Sequence, residues 1–373
     1  MPKIVMFVSN PYLPDPRVEK EARTLADAGH DILIIARNSR PEFPENEIAS
    51  YCKIRRVTIP IPEKITMYSF LRYYIKYMKL SRKMSREFEP DIVHCHDLYT
   101  LPIGIGLGKP LIYDSHENYS GLHFPKGGVK ARLTDAAERL LVRFSDAVIT
   151  VSEDLGQKYP RKKVAVVMNC PMHFKILASD SNTIREKYGI PRDAFVAVYQ
   201  GGLTAHRSLE MIVSNFASRG AEMIPGFKIL VCGKGNIEPE LRKRAASNVI
   251  FTGHLPSEQL FSIMAASDIG LILFEDSPNN RVGLPNKLFE YMAIGIPVLA
   301  SNLPTMARVI GAEKIGITID PEDSLKVFDA LKLLHADVSG RERMGDYGVR
   351  AFKERYNWEI ESKKLLAVYE RLI

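Results

Sequence analysis

Four cysteines in 373 residues, Cys52, Cys95, Cys170 and Cys232, with no C-x-x-C pair among them, leave no signature of a zinc site, a redox dithiol or a disulfide framework. A reducing compartment is the simplest setting. Long apolar runs are missing too. The first, Ile4 to Val8, is ended by Ser9, Asn10 and Pro11, too soon for a signal peptide, and no stretch approaches the ~20 residues of a membrane span. The expectation is a cytoplasmic chain, at most peripheral on the inner face of the cell membrane. Short-period repeats and low-complexity tracts are absent. So is the dinucleotide fingerprint G-x-G-x-x-G, because Glu238 stands third after Gly233 and Gly235, which argues against an NAD-dependent oxidoreductase. What remains, 46% hydrophobic and 25% charged residues, is an ordinary globular composition long enough for two domains.

The net charge of +7 is unevenly spread: residues 1–170 hold 26 Lys and Arg against 20 Asp and Glu. Residues 64–88 carry Lys64, Arg72, Lys76, Lys79, Arg82, Lys83 and Arg86 against one acid, Glu87. Met67, Leu71, Tyr74, Ile75 and Met78 recur there at helical spacing, so the segment reads as a basic amphipathic helix. Its apolar side either faces the core, with a solvated basic back, or meets anionic lipid. No nucleic-acid motif accompanies the charge, and no nucleic-acid partner is expected.

Short β-branched runs alternate with helical patterns, which predicts parallel sheets covered by helices. One series runs through Lys3–Ser9, Asp31–Ala36, Ile54–Ile59, Asp91–Cys95, Pro110–Asp114, Ala147–Val151 and Val164–Met168. A second runs through Phe195–Tyr199, Lys228–Cys232, Val249–Thr252, Ile269–Phe274, Pro297–Ala300 and Gly316–Ile319. Two α/β domains follow, residues 1–172 and 173–357. A terminal amphipathic helix, 358–373, packs on the second domain or back on the first.

The stretch 279–301, NNRVGLPNKLFEYMAIGIPVLAS, reads as loop, helix, buried strand. Pro285 suits a first helical turn, Gly283 allows close backbone approach, and the free amides of that turn suit phosphate oxygens. Lys287 adds charge, and Glu290 could accept two hydrogen bonds from vicinal hydroxyls. A capped surface helix with Glu290 solvated is the plainer reading.

GLPNKLFEYMAIGIPVLAS resembles the donor-binding segment of the retaining glycosyltransferases of family 4. The resemblance extends over nearly the whole chain, through PDPRVEKEARTLADAGHDILIIARN (14–38), PDIVHCHDLYTLP (90–102), KPLIYDSHENY (109–119), DAVITVSEDL (146–155), YQGGLTAHRSLEMIV (199–213), FKILVCGKGN (227–236), VIFTGHLPSEQL (249–260) and ASDIGLILF (266–274). It implies the GT-B fold: two Rossmann-like, doubly wound domains facing each other across a cleft. The donor would be a UDP- or GDP-linked sugar in the second domain. Glu290 would hold the ribose, His254 and Leu255 would flank the base, and Gly202, Gly233 and Gly235 would line the pocket. Leu284, Asn286 and the amides around Leu288 would complete it. Arg207 and Lys287 would take the diphosphate. The plainer reading of Arg207 is a surface residue at a helix start, where a cation is unfavourable next to the helix's positive end unless an anion lies between them.

In the first domain the resemblance places His116 near the donor sugar. The family's N-terminal glycine-rich loop is replaced by Pro14, Asp15, Pro16 and Arg17, which makes Arg17 a candidate contact to phosphate or acceptor. His96, Asp97 and Glu117 are candidates for the acceptor, a glycan or lipid-linked hydroxyl of cell-envelope or exopolysaccharide assembly. His94 and His96 share one face of a strand, but no third ligand is evident in the sequence, and no metal or cofactor is expected. Two departures stand out. The family's first motif glutamate is Val282 here, leaving Asn280, Arg281 or Asn286 to read the sugar, and Gly202 stands where many relatives carry a diphosphate-binding arginine. A sugar-nucleotide 2-epimerase or a non-catalytic nucleotide-sugar-binding protein are the alternatives.

Overall fold

The computed structural model describes residues 1–373 except 14, 39–41, 61–63, 65, 173–180, 206 and 321–322, and except the side chains of 324–325. Residue 65 of the basic segment and the first residues of the expected second domain, 173–180, therefore lie outside the described residues. The chain divides into two compact units, Met1–Asn169 with Glu361–Ile373, and Cys170–Ile360.

Unit 1 is built on eight strands, β1 (Lys3–Val8), β2 (Asp31–Asn38), β3 (Asn46–Ile48), β4 (Lys53–Thr58), β5 (Ile92–His96), β6 (Leu111–Ser115), β7 (Ala147–Thr150) and β8 (Val164–Val166), in the order β3-β4-β2-β1-β5-β6-β7-β8. All pairs are parallel except β3 with β4. Strand β3 is exposed along its whole length, so it lacks the apolar run by which the others are recognised. The central strands are buried on both faces, as helix-covered parallel strands must be. Helix Pro16–Asp27 starts with Asp15 accepting from the amides of Arg17 and Val18. Helix Met67–Phe88 starts with a reciprocal Thr66–Ser69 cap and ends at Glu89 in the left-handed region. One core, containing Val5, Val93, Cys95 and Tyr113, is roofed by this helix (Tyr77, Met78), by Leu101–Ile105 and by Val129–Val142 (Leu141, Val142).

Unit 2 holds six strands, β9 (Val196–Gln200), β10 (Lys228–Cys232), β11 (Val249–Gly253), β12 (Ile269–Ile272), β13 (Val298–Ser301) and β14 (Gly316–Ile319), all parallel, in the order β11-β10-β9-β12-β13-β14. The chain reverses its direction across the sheet between β9 and β12. In a doubly wound sheet the crevice at such a point, outside the carboxyl ends of the strands, is where ligands bind. The last helix, Trp358–Glu370, begins with Trp358 bonded to Pro171 in unit 2. From Glu361 onward it belongs to unit 1, where the Glu361 carboxylate accepts from the amide of Met168 at 2.8 Å.

Candidate functional site

The switch point of unit 2 gathers two cations. A methyl placed on Gly201 would stand 3.4 Å from Lys287 Nζ and 3.5 Å from Arg207 Nη1, and Gly201 itself has φ +130°. The backbone conformation is the one that favours glycine there, and a side chain would stand in contact with both cations. Lys287 is buried, its Nζ lies 3.8 Å above the Tyr199 ring and 5.4 Å from that of Phe274, and the Arg207 guanidinium is 5.6 Å from Phe274. The rings supply cation–π attraction, the Tyr199 hydroxyl accepts a hydrogen bond from Arg207, and Lys287 Nζ has no hydrogen-bond partner among the described residues. Burial first, then Arg207, holds the Lys287 ammonium well below its ordinary pKa, with Glu290 pulling the other way. A cavity of about 650 Å³ opens beside the pair, lined by Arg207, Ser208, Phe274, Ser301, Asn302 and Asp320 among others.

Lys287 rides on helix Asn286–Ile294, whose start carries no side-chain cap and no acid in its first turn. Pro285 is the N-cap rather than the first helical residue, and the Leu288 amide closes the turn on Pro285 O at 2.9 Å. The amides left for an anion are those of Asn286 and Lys287. Leu288 itself is core, while Leu284 and Asn286 are half-buried. Glu290, one turn on, accepts from Gln200 Nε2 at the end of β9. His254 is exposed and Leu255 half-buried, just past β11. Gly233 and Gly235 have a packing reason for lacking side chains: a Cβ on either would lie 1.9 Å from the carbonyl oxygen of Gly201 or Leu203. Their loop lies against residues 201–203, pinned by Gly201 N to Cys232 O and Leu203 N to Lys234 O. Gly202 is exposed, and the nearest atom to a Cβ there is Thr204 Cγ2 at 3.8 Å. Of the suggested replacements for the Val282 position, Asn280 bonds Glu275 O and Arg281 pairs with Asp276 at 2.6 Å, so both serve their own loop.

The residues expected to read the acceptor are less alike. His116 sits just past β6 with Nε2 3.0 Å from Asp114 Oδ2 and Nδ1 3.7 Å from Asp97 Oδ1. Burial lowers its pKa, yet the two carboxylates outweigh burial and raise it to about 9, so the ring is an imidazolium at neutral pH. Asp97 keeps a strained backbone, φ +78°, and takes a hydrogen bond from Ser9 Oγ. Glu117 is exposed.

Arg17 and His96 need correction. Arg17 is 2% exposed and spends its donors inward, Nε and Nη2 on Asp114 at 2.9 Å and Nη1 on Val167 O. His96 is 1% exposed and lies under His116, Nδ1 to Nε2 3.2 Å. Neither presents an atom to a ligand: the Arg17 nitrogens are taken by Asp114 and Val167 O, and the end of β5 that carries His96 is roofed by His116.

The third ligand that the sequence did not show is Glu21. With His94, His96 and Asp114 it forms a buried group whose oxygen and nitrogen atoms lie within 4.8 Å of one another. Charge decides against a metal there. Arg17 Nε already stands 3.1 Å from Glu21 Oε1 and 2.9 Å from Asp114 Oδ2, and the His116 imidazolium is the second cation, so two positive groups meet two carboxyls. Burial raises the Glu21 pKa to about 7, against the pull of Arg17, whereas Asp114 is driven well below the usual range, Arg17 and His116 overcoming its burial. Tyr369, from the last helix, closes the cluster through its hydroxyl, 2.7 Å from His94 Nδ1. Spacing of four on a helix could have linked Arg17 to Glu21. Nothing local could have supplied Tyr369.

Residues 17–170 match the model of Glycosyltransferase Family 4, and residues 194–337 that of Glycosyl transferases group 1. An uncharacterized glycosyltransferase of Methanocaldococcus jannaschii is 24% identical, over 94% of this chain and 92% of its own. Among solved structures, a sucrose-phosphate synthase of Thermosynechococcus elongatus superposes with TM-score 0.81 at 17% identity, covering 100% of this chain and 99% of its own. HepE of Anabaena, solved with UDP-glucose, superposes with TM-score 0.73 at 14% identity, covering 99% and 100%. With two family models matched in order on two Rossmann-like sheets, the chain belongs to the family-4, group-1 glycosyltransferases of the GT-B fold.

Proposed function

We propose that this glycosyltransferase takes a sugar from a UDP- or GDP-linked donor held by unit 2 and passes it, with retention of configuration, to a hydroxyl of a lipid-linked or glycan acceptor in envelope or exopolysaccharide assembly. The observation that carries the donor half is the Arg207–Lys287 pair. Two like charges held together beside an uncapped helix start, with rings in place of carboxylates, are costly until an anion joins them. A diphosphate supplies that anion. As the anomeric C–O bond breaks, charge grows on the leaving diphosphate, and the two cations with the Asn286 and Lys287 amides stabilise it. A leaving-phosphate oxygen then takes the proton of the acceptor hydroxyl on the same face. His116, with both ring nitrogens turned to carboxylates, is a charged donor rather than a base.

Helix Met67–Phe88 supports the lipid side of the reading. Its apolar stripe divides: Tyr74 and Met78 pack on the core, while Met67, Leu71 and Ile75 are exposed among basic residues. Among the described residues no helix is long and apolar enough to cross a membrane, and contact at the inner membrane face is the arrangement proposed.

Thermal shift against UDP, GDP and their sugars tests the donor half, since a ligand at 100 times its Kd adds about 2.7 kcal/mol of stability. One nucleotide should raise the midpoint, and the Arg207→Ala, Glu290→Ala double variant should abolish the shift. No shift with any nucleotide, or an undiminished one in the double variant, defeats the reading. Conversion of donor sugar without any acceptor would instead mark an epimerase.

A further inference from the structure

The helix Val129–Val142 carries an exposed apolar stripe. Its inward side is Ala131, Glu138 and Val142. Outward, at helical spacing, stand Val129 (72% exposed), Leu133 (64%), Leu140 (56%) and, two residues past the helix end, Phe144 (60%). Four large apolar groups in one line on a soluble surface need an occupant. Lys130, Arg132, Arg139 and Arg143 flank them one position away, with Lys126 just before. The two acids of the same helix, Asp135 and Glu138, share a single cation, Lys158, so the five bases face at most one uncompensated carboxylate.

Resting on the membrane-contact reading above, we infer that Val129–Val142 and the first half of Met67–Phe88 form one continuous surface for an anionic lipid bilayer. The fold puts them on the same side. Both helices roof a single core over one face of the unit 1 sheet, and the short helix Leu101–Ile105 touches each of them. Their outward stripes therefore look away from the same sheet face. Each combines apolar side chains, which enter the headgroup boundary, with bases that remain among the phosphates. Charge selects lipid over a second copy of the chain. A two-fold dimer would set each patch against itself and bring these bases together, and protein interface cores are depleted of lysine. A negative surface meets every one of them favourably.

The test uses the full chain and sedimentation with vesicles of phosphatidylcholine, with and without 30% phosphatidylglycerol. Leu133→Ser with Leu140→Ser should lower partition onto anionic vesicles at least about 10-fold, and Met67→Ser with Leu71→Ser should do the same. Neither pair belongs to the donor site, so the nucleotide thermal shift should be unchanged and reports folding. If the 67/71 variant loses binding while the 133/140 variant keeps it, this inference falls and the single-helix reading survives. If the parent binds no vesicles, both fall. A lipid-free parent that light scattering finds dimeric, and the 133/140 variant monomeric, would assign the stripe to self-association and overturn the inference.

Discussion

Each unit buries a cation close to the carboxyl ends of its strands, and the two burials have opposite logic. In unit 1 the Arg17 guanidinium is enclosed by Asp114, Glu21 and Val167 O, with every donor nitrogen engaged. In unit 2 the Lys287 ammonium lies over Tyr199 with Arg207 for company and no acceptor among the described residues. A closed cluster has finished its electrostatics on folding, so it holds the structure. An open pair of like charges waits for something negative, so it marks the site. The same residue chemistry can thus be scaffold or function, and the partners decide which.

The sharpest break in this contrast is Arg17→Met. It strands Asp114 and Glu21 in the core, and loss of one partner from a buried pair costs about 3–5 kcal/mol. The midpoint of unfolding should drop steeply, and whatever protein stays folded should bind nucleotide as the parent does. Weakened nucleotide binding in folded protein would return Arg17 to the list of ligand contacts.

Lys287→Ala and Arg207→Ala should behave in the reverse manner. Each removes a repelling partner, so the midpoint should hold or rise, while transfer falls at least ~100-fold, the scale for one preorganised charge-stabilising donor. A variant that loses stability but keeps its rate would move Lys287 into the scaffold class.

How much of this could be read before the fold was known follows the same division. Strands buried on both faces announce themselves as apolar runs, so thirteen of the fourteen strands among the described residues appear in the pattern within a residue or two, and exposed β3 does not. The donor helix was legible because loop, proline, lysine and glutamate stand within a dozen residues. The closed cluster was not. It is assembled from Arg17 and Glu21 on one helix, His94 and His96 on β5, Asp114 on β6 and Tyr369 on the last helix. That leaves Arg17 looking like any free cation after a strand. Burial also re-sorted HCHD, taking His94 and His96 into the core and leaving Asp97 at the surface of the site.

Titration gives the contrast a sign. The His116 pKa is raised to about 9, so the stability it contributes is complete below the ordinary histidine value near 6.5 and is lost as pH climbs through about 9. Glu21, raised to about 7, adds to the loss, its favourable protonated form disappearing between about 4.5 and 7. Lys287 is lowered, so its penalty is full at low pH and is relieved as pH rises through its folded value toward 10.5. From pH 7 to 10, amide exchange in β5 and β6 should quicken relative to that in β9 and β12, once corrected for the intrinsic rate. Equal pH trends in the two sheets would remove the distinction. Nucleotide binding should also draw a proton onto Lys287 near its lowered folded pKa, seen as calorimetric heats that depend on the buffer.

The smallest expected effect is a gain. Gly202 is exposed, has no neighbour closer than 3.8 Å to a would-be Cβ and is not among the glycines with positive φ, so Gly202→Arg should fold without strain. Its guanidinium would join an already open pair. The repulsion from Arg207 and Lys287 costs some stability in the free protein, and a hydrogen bond to a charged phosphate returns about 1.5–3 kcal/mol when the nucleotide is bound. The balance predicts UDP or GDP held roughly 3- to 10-fold tighter, with a slightly lower midpoint in its absence. A variant that binds nucleotide no better, at unchanged stability, would show that the diphosphate does not pass beside residue 202, and that the two cations of unit 2 grip it from the Phe274 side alone.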